Sequence, residues 1–294
     1  MANKFFGNMK QTISMKQKLY KTFWIIIILF FSYLIFKMLI GTSFNIPSES
    51  MLPTLMPGDK VFVNKTIYGP RLYNVFKKEV THQDIYQMPG FGNIERGDVM
   101  VFNALQRKYH WGELSFYKNK YFIKRCMSIA GDTLQIRDCR YYINGKKMTG
   151  VFDEGQRVLS EIINDPIRRD SSFVSINAFP YNCGWTLKDF GPFYIPKSGD
   201  TIEINQKTMS LYGAIIRWEL SEDIVEKNNQ YFVKDTLLTY HVFDNDCYFV
   251  AGDFAANSDD SRFWGLVPRD FIVGKATTIM YSTADQPNRG GIKL

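Results

Sequence analysis

The hydrophobic pattern changes character three times along the chain. Phe23 to Ile40 reads FWIIIILFFSYLIFKMLI, 18 residues that are apolar on every side. As a helix this stretch is about 27 Å long, close to the thickness of a bilayer core. The apolar stretch of a cleavable signal peptide is shorter, about 7–15 residues. A buried soluble helix rarely has an all-round apolar surface beside a lysine-only flank. The pattern therefore predicts one transmembrane helix over 23–40, with Lys37 near its distal end able to snorkel toward headgroups.

After the helix the period shortens to two. Lys60-Val61-Phe62-Val63 follows the turn Pro57-Gly58-Asp59, and Val99-Met100-Val101-Phe102 follows Arg96-Gly97-Asp98. A mostly apolar run from Tyr121 to Ala130 ends at Gly131-Asp132. Leu134-Gln135-Ile136 alternates, and Tyr141-Tyr142-Ile143 runs into Asn144-Gly145, a strong hairpin signal. Residues 149–234 are more polar, richer in Asn and Ser, and weakly periodic, as an inserted cap would be. The regular pattern resumes near Tyr240 and continues to about Met280. The predicted fold is mainly β: an antiparallel β-sheet core with an inserted cap region, preceded by one N-terminal transmembrane helix. The expected divisions are a basic N-terminus (1–22), the anchor (23–40), the core in two parts (41–148 and 235–285) around the insert (149–234), and a solvated tail (286–294).

Charge sharpens this layout. The 294 residues carry a formal +7, but Lys4, Lys10, Lys16, Lys18, Lys21 and Lys37 all precede residue 42, with no acidic residue among them. The rest of the chain is close to neutral, so a nucleic-acid partner is not expected. The positive-inside rule keeps the lysine-rich end cytoplasmic and sends the remainder outside. Cys126, Cys139, Cys183 and Cys247 then lie in a disulfide-permissive space, with three pairings open and no zinc-type spacing. No metal or other cofactor is expected.

Ten residues after Ile40 stands Ser50, within Pro47-Ser48-Glu49-Ser50-Met51-Leu52-Pro53-Thr54. A serine before an apolar residue and a proline sits in a turn with its hydroxyl presented, a candidate nucleophile. It needs a base. The three histidines, His82, His110 and His241, have no neighbouring motif that would make them one. Lysine is the alternative, provided that burial lowers its pKa from near 10.4 by about 3 units. Lys124 satisfies this, because strand alternation puts it on one face with Phe122 and Cys126; a strand lysine reaching solvent at a sheet edge fits the same pattern. A third segment, Gly252 to Gly265, is a polar loop between apolar strands. In it Asp260 and Arg262 could form a loop ion pair or help to orient a base.

Together these segments resemble bacterial type I signal peptidase (leader peptidase), a Ser/Lys-dyad serine protease family. The likeness rests on Phe44–Leu55 (FNIPSESMLPTL), Arg96–Phe102 (RGDVMVF), Phe122–Asp132 (FIKRCMSIAGD) and Asn257–Pro268 (NSDDSRFWGLVP), in this order behind an anchor. The resemblance implies Ser50 as nucleophile and Lys124 as general base. It implies Ser48, with the Ser50 backbone N–H, as the oxyanion hole, and Ser258 as the residue that hydrogen-bonds and orients the lysine. Asp253, Asp260 and Arg262 would be structural support, and Phe44, Ile46, Met51 and Ile123 would lie near shallow pockets selecting small residues, hence Ala-x-Ala. For each of these four, ordinary core packing is an equally good reading of the residue. The implied partners are signal-peptide-bearing preproteins, the lipid bilayer and, transiently, the export channel, at the bacterial inner membrane. One stretch departs from the pattern: where members carry Gly-Asp-Asn-Arg-Asp/His, this chain has Gly252-Asp253-Phe254-Ala255-Ala256. That departure bears on the rigidity of the loop holding Ser258. Two rivals follow. One is a self-cleaving regulator with Ser–Lys chemistry, which the anchor opposes. The other is an impaired or specialised paralogue serving as a membrane-tethered binding subunit.

Overall fold

A computed structural model describes residues 2–106, 114–171, 177–284 and 288–294; His110 lies outside them. The N-terminal helix runs from Ala2 to Ile35 and continues as a π-helical turn over Phe36–Ile40. Its apolar window, Gln17–Ile40, has a mean hydropathy of 2.5 and buries nothing against the rest of the chain. The helix is longer than the 18 residues of the apolar run, because the lysine-rich turns before it are themselves good helix formers.

The core is a seven-stranded antiparallel sheet in the order 41–45, 59–64, 272–282, 99–106, 115–128, 247–251, 267–268. Its central strand, Val99–Gln106, is buried on both faces. Val99 and Val101 pack with Ile46, Met51, Leu55, Val61 and Val63. Met100 and Phe102 pack on the other side with Cys126, Val250, Trp264 and Phe271. This two-sided burial explains why the run reads as continuously apolar rather than alternating.

A smaller four-stranded sheet, ordered 190–194, 133–137, 140–143, 146–147, stands over the third apolar cluster. Its hairpin turns at Asn144-Gly145, both at positive φ, as a type I′ turn requires. Within 149–234 the chain forms helices at Asp153–Asn164, Pro166–Ser171 and Gln206–Leu220. The last of these starts at a capping box of Asn205 and Thr208. Strand Phe190–Tyr194, from the same stretch, pairs with Thr133–Arg137. All four cysteines are free thiols, with Cys126, Cys139 and Cys247 buried.

Candidate active site

Two strands and one loop build the site. Strand Ser115–Ser128 pairs with Val99–Gln106 along most of its length, and Lys124 lies opposite Met100. On its other side the strand Cys247–Ala251 pairs only as far as Ala251 opposite Arg125. Lys124 therefore stands where the second neighbour ends and the chain turns away at Gly252. It is not a solvent-reaching edge residue: only 5% of it is exposed. Phe122 and Cys126 lie together in one apolar cluster, on the face that strand alternation gives to Lys124.

Ser50 enters from the turn that follows the edge strand Gly41–Asn45 and is 6% exposed. Its Oγ is 2.6 Å from Lys124 Nζ. Burial pushes the Lys124 ammonium below its ordinary pKa; Asp260 and Asp259 pull it back up in part, while Arg262 presses it further down. Exposed Ser48 presents its Oγ 3.4 Å from Ser50 Oγ. The Ser50 backbone N–H donates to no group among the described residues.

Behind this pair the loop 252–262 is tied down at several points. The Ser50 carbonyl accepts the Phe254 N–H at 3.1 Å. Gly252 has no room for a side chain: a Cβ there would lie 2.3 Å from both Ser258 Oγ and the Ser50 carbonyl oxygen. Ser258 Oγ accepts the Gly252 N–H at 3.2 Å and donates to Asp260 Oδ2 at 2.7 Å. It forms no hydrogen bond with Lys124, which differs from the expected orienting contact. The hydroxyl has one proton, and the fully buried Asp260 carboxylate has the stronger demand for it. Burial drives the Asp260 pKa up, but Arg262, Ser258 and the Gly252 N–H outweigh it and hold the carboxyl below its usual range. Arg262 binds Asp260 through Nε and Nη2, both at 2.8 Å, and donates to the Ala255 carbonyl at 2.9 Å.

Asp253 is also fully buried and is held in a fork by Arg125, whose Nε and Nη2 lie 2.6 Å from its two oxygens. Thr54 donates to Asp253 Oδ2 at 2.5 Å, and Arg125 Nη1 reaches the Gly97 carbonyl at 2.6 Å. This joins the segment after Ser50 to the loop after Gly252. Sequence reasoning assigned no role to Arg125, Thr54 or Gly252. The Lys124-Arg125 adjacency was the available signal, since neighbours on a strand point to opposite faces.

Phe44, Ile46, Met51 and Ile123 come together in one apolar cluster. Ile46 and Met51 are buried within it, whereas Phe44 and Ile123 are partly open. The described histidines serve elsewhere: His82 pairs with Asp270 at 2.6 Å and His241 with Glu219 at 2.8 Å.

Comparison with known proteins gives the family. A family model described as signal peptidase, peptidase S26, matches residues 17–180 and 195–281. Signal peptidase I of Buchnera aphidicola subsp. Schizaphis graminum is 29% identical, the match covering 88% of this chain and 74% of that protein. The corresponding figures are 27%, 87% and 70% for signal peptidase I of Pseudomonas aeruginosa. For that of Aquifex aeolicus they are 28%, 83% and 77%. The chain belongs to the peptidase S26 family of signal peptidases.

Proposed function

We propose that this protein is a membrane-anchored serine endopeptidase that removes signal peptides from exported preproteins through an acyl-enzyme on Ser50, with Lys124 as base. The observation that carries the reading is the 2.6 Å Ser50–Lys124 approach, with both residues nearly excluded from water. A neutral amine accepts the Ser50 proton as Oγ attacks the scissile carbonyl carbon. The resulting oxyanion is met by the Ser50 N–H and the Ser48 hydroxyl, and two such donors contribute several kcal/mol. Lys124 then passes its proton to the leaving amine, and the C–N bond breaks. The Lys124 amine next deprotonates the water that attacks the ester, and returns that proton to Ser50 Oγ as the C–O bond breaks. Ser258 keeps one lone pair beyond its bond from Gly252, available to accept from the protonated lysine.

The substrate binds extended, its backbone adding to a sheet edge beside Ser50. Phe44 and Ile123 face small residues at the first and third positions before the cut, over a floor of Ile46 and Met51, giving Ala-x-Ala selectivity. The apolar helix holds the site at the outer face of the bacterial inner membrane, near the export channel, with the lysine-rich end in the cytoplasm. The Ser50–Lys124 contact argues against the binding-subunit alternative.

The test is cleavage of an Ala-x-Ala preprotein by wild type, Ser50→Ala and Lys124→Ala. The wild type cuts, and both variants fall to background, a loss of at least about 10³-fold. Cleavage by Ser50→Ala at the wild-type rate would refute the mechanism.

A further inference from the structure

A cavity of about 790 Å³ opens where the apolar helix meets the sheet; of the residues that the proposed cleavage uses, its lining includes only Phe44. Tyr33 and Phe36 of the helix form one wall, and Lys37, Lys60, Lys65 and Arg71 contribute four cations to the lining, with no carboxylate among the lining residues. Among the described residues none of the four forms an ion pair with a carboxylate. Lys65 donates to the main-chain carbonyls of Lys37 and Met38, at 2.9 and 3.3 Å. Arg71 reaches the Asn103 side-chain oxygen at 2.7 Å and the Asp270 carbonyl. Lys60 lies over the Tyr281 ring, 5.4 Å from its centroid. Burial, together with the Arg71 and Lys37 charges, presses Lys65 down to about 8, and burial presses Arg71 to about 10. Lys60 and Lys65 are half-buried and Arg71 has only the nearby Asp270 charge to offset its burial, so an anion in their midst relieves a cost.

Position selects the kind of anion. Lys37 marks the distal end of the apolar helix, so the cavity lies at headgroup depth. Beside it Val75, which lines the cavity, and the adjoining Phe76 are 61% and 94% exposed, an apolar rim that a bilayer surface would cover. From this geometry we infer that the cavity binds the phosphate of one anionic phospholipid, its acyl chains lying along the helix at Tyr33 and Phe36. The inference rests on the membrane anchoring proposed above. A signal peptide is a poorer occupant, since nothing in an uncharged Ala-x-Ala segment answers four cations.

The experiment uses the full chain. Flotation with neutral phosphatidylcholine vesicles checks the anchor alone. Native mass spectrometry of protein released from mixed phosphatidylglycerol and phosphatidylcholine nanodiscs then reads retained lipid. We expect flotation with neutral vesicles, one retained phosphatidylglycerol in preference to phosphatidylcholine, and no displacement by millimolar inorganic phosphate. Lys60→Gln and Lys65→Gln should each weaken retention about fivefold, the size expected for one cation at an anionic surface. Lys60→Gln, whose side chain forms no hydrogen bond or ion pair among the described residues, serves if Lys65→Gln fails to fold. Failure to float sinks the anchoring and the lipid site together. Flotation with equal retention of both lipids, or retention unchanged in the variants, overturns the site alone. Displacement by inorganic phosphate would make it a free-phosphate site, and displacement by an Ala-x-Ala peptide would make it a peptide site. Either result refutes the lipid assignment.

Discussion

Replacing Gly252 by alanine tests whether this backbone position sets the catalytic geometry. The added Cβ would stand 2.3 Å from the Ser50 carbonyl oxygen, 2.3 Å from Ser258 Oγ and 2.7 Å from Ser258 Cβ. Ordinary contact begins near 3.4 Å, so these groups or Gly252 itself must retreat by about 1 Å. None is a loose end. The Ser50 carbonyl is bonded to Phe254, and Ser258 Oγ is bonded on both sides. The backbone of Ser50 carries both the hydroxyl proposed as nucleophile and the N–H proposed to meet the oxyanion, so a shift there moves both. A displacement of about 1 Å costs about 10²-fold in rate, or about 2.7 kcal/mol of transition-state stabilisation. The expected result is a fall of that size in kcat for an Ala-x-Ala preprotein, with KM little changed because the crowded atoms belong to Ser50 and Ser258 and not to Phe44, Ile46, Met51 or Ile123. Far-UV circular dichroism and a thermal melt establish that the variant is folded. A folded Gly252→Ala enzyme with kcat within about threefold of wild type would refute the reasoning.

Three further outcomes follow from the same geometry. Cleavage should fall as the pH drops, because Lys124 must be neutral to act, and the controlling pKa lies below the ordinary lysine value; a kcat/KM profile flat down to pH 5 would contradict this. The same shift has a stability consequence. A lysine whose folded pKa is depressed contributes its full stability above the unfolded pKa and loses it as the pH falls through the folded value. Lys124→Met should therefore gain in melting temperature over wild type as the pH is lowered through that window, and differential scanning calorimetry across pH checks it. Arg125→Met strands the buried Asp253 carboxylate and should cost about 3–5 kcal/mol in denaturant unfolding, part of which adding Asp253→Asn recovers.

How far the sequence discloses this site depends on how local each cause is. Local surroundings singled out Ser50 and Lys124, a proline turn for one and apolar strand neighbours for the other, but only the family resemblance gave Lys124 a role over that of an edge lysine. The anchor was legible as an uninterrupted apolar run, although its helix begins well before Phe23. Gly252 could not be singled out as sterically required, since the atoms that crowd it belong to Ser50, about two hundred residues earlier, and to Ser258. The direction of the Ser258 hydroxyl was missed for a related reason: it follows from a competition between Lys124 and Asp260 that only the folded arrangement decides. The helices inside 149–234 were overlooked although Asn205 and Thr208 signal a cap and Met209, Tyr212 and Ile216 recur at helical spacing. Polar residues between them masked the period.

The stretch Phe254-Ala255-Ala256, where the family pattern has polar residues and an arginine, is held by contacts that need none of those side chains. The Phe254 N–H binds the Ser50 carbonyl, and the Ala255 carbonyl receives Arg262, itself locked on Asp260. From the opposite side comes helix Asp153–Asn164. Its Gly155 packs so tightly that a Cβ would lie 2.0 Å from the Asp253 carbonyl and 2.9 Å from the Ala255 nitrogen. Asp253, at the start of the stretch, is fixed by Arg125 and Thr54. Small side chains at 255 and 256 suit a loop covered by a helix at close range, where a long arginine would have to be accommodated beneath Gly155. The chemistry of the altered residues and the presence of the covering helix are thus two sides of one arrangement. Rigidity around Ser258 comes from main-chain bonds and close packing rather than from the polar side chains it lacks, so the altered loop is compatible with an intact Ser50–Lys124 site.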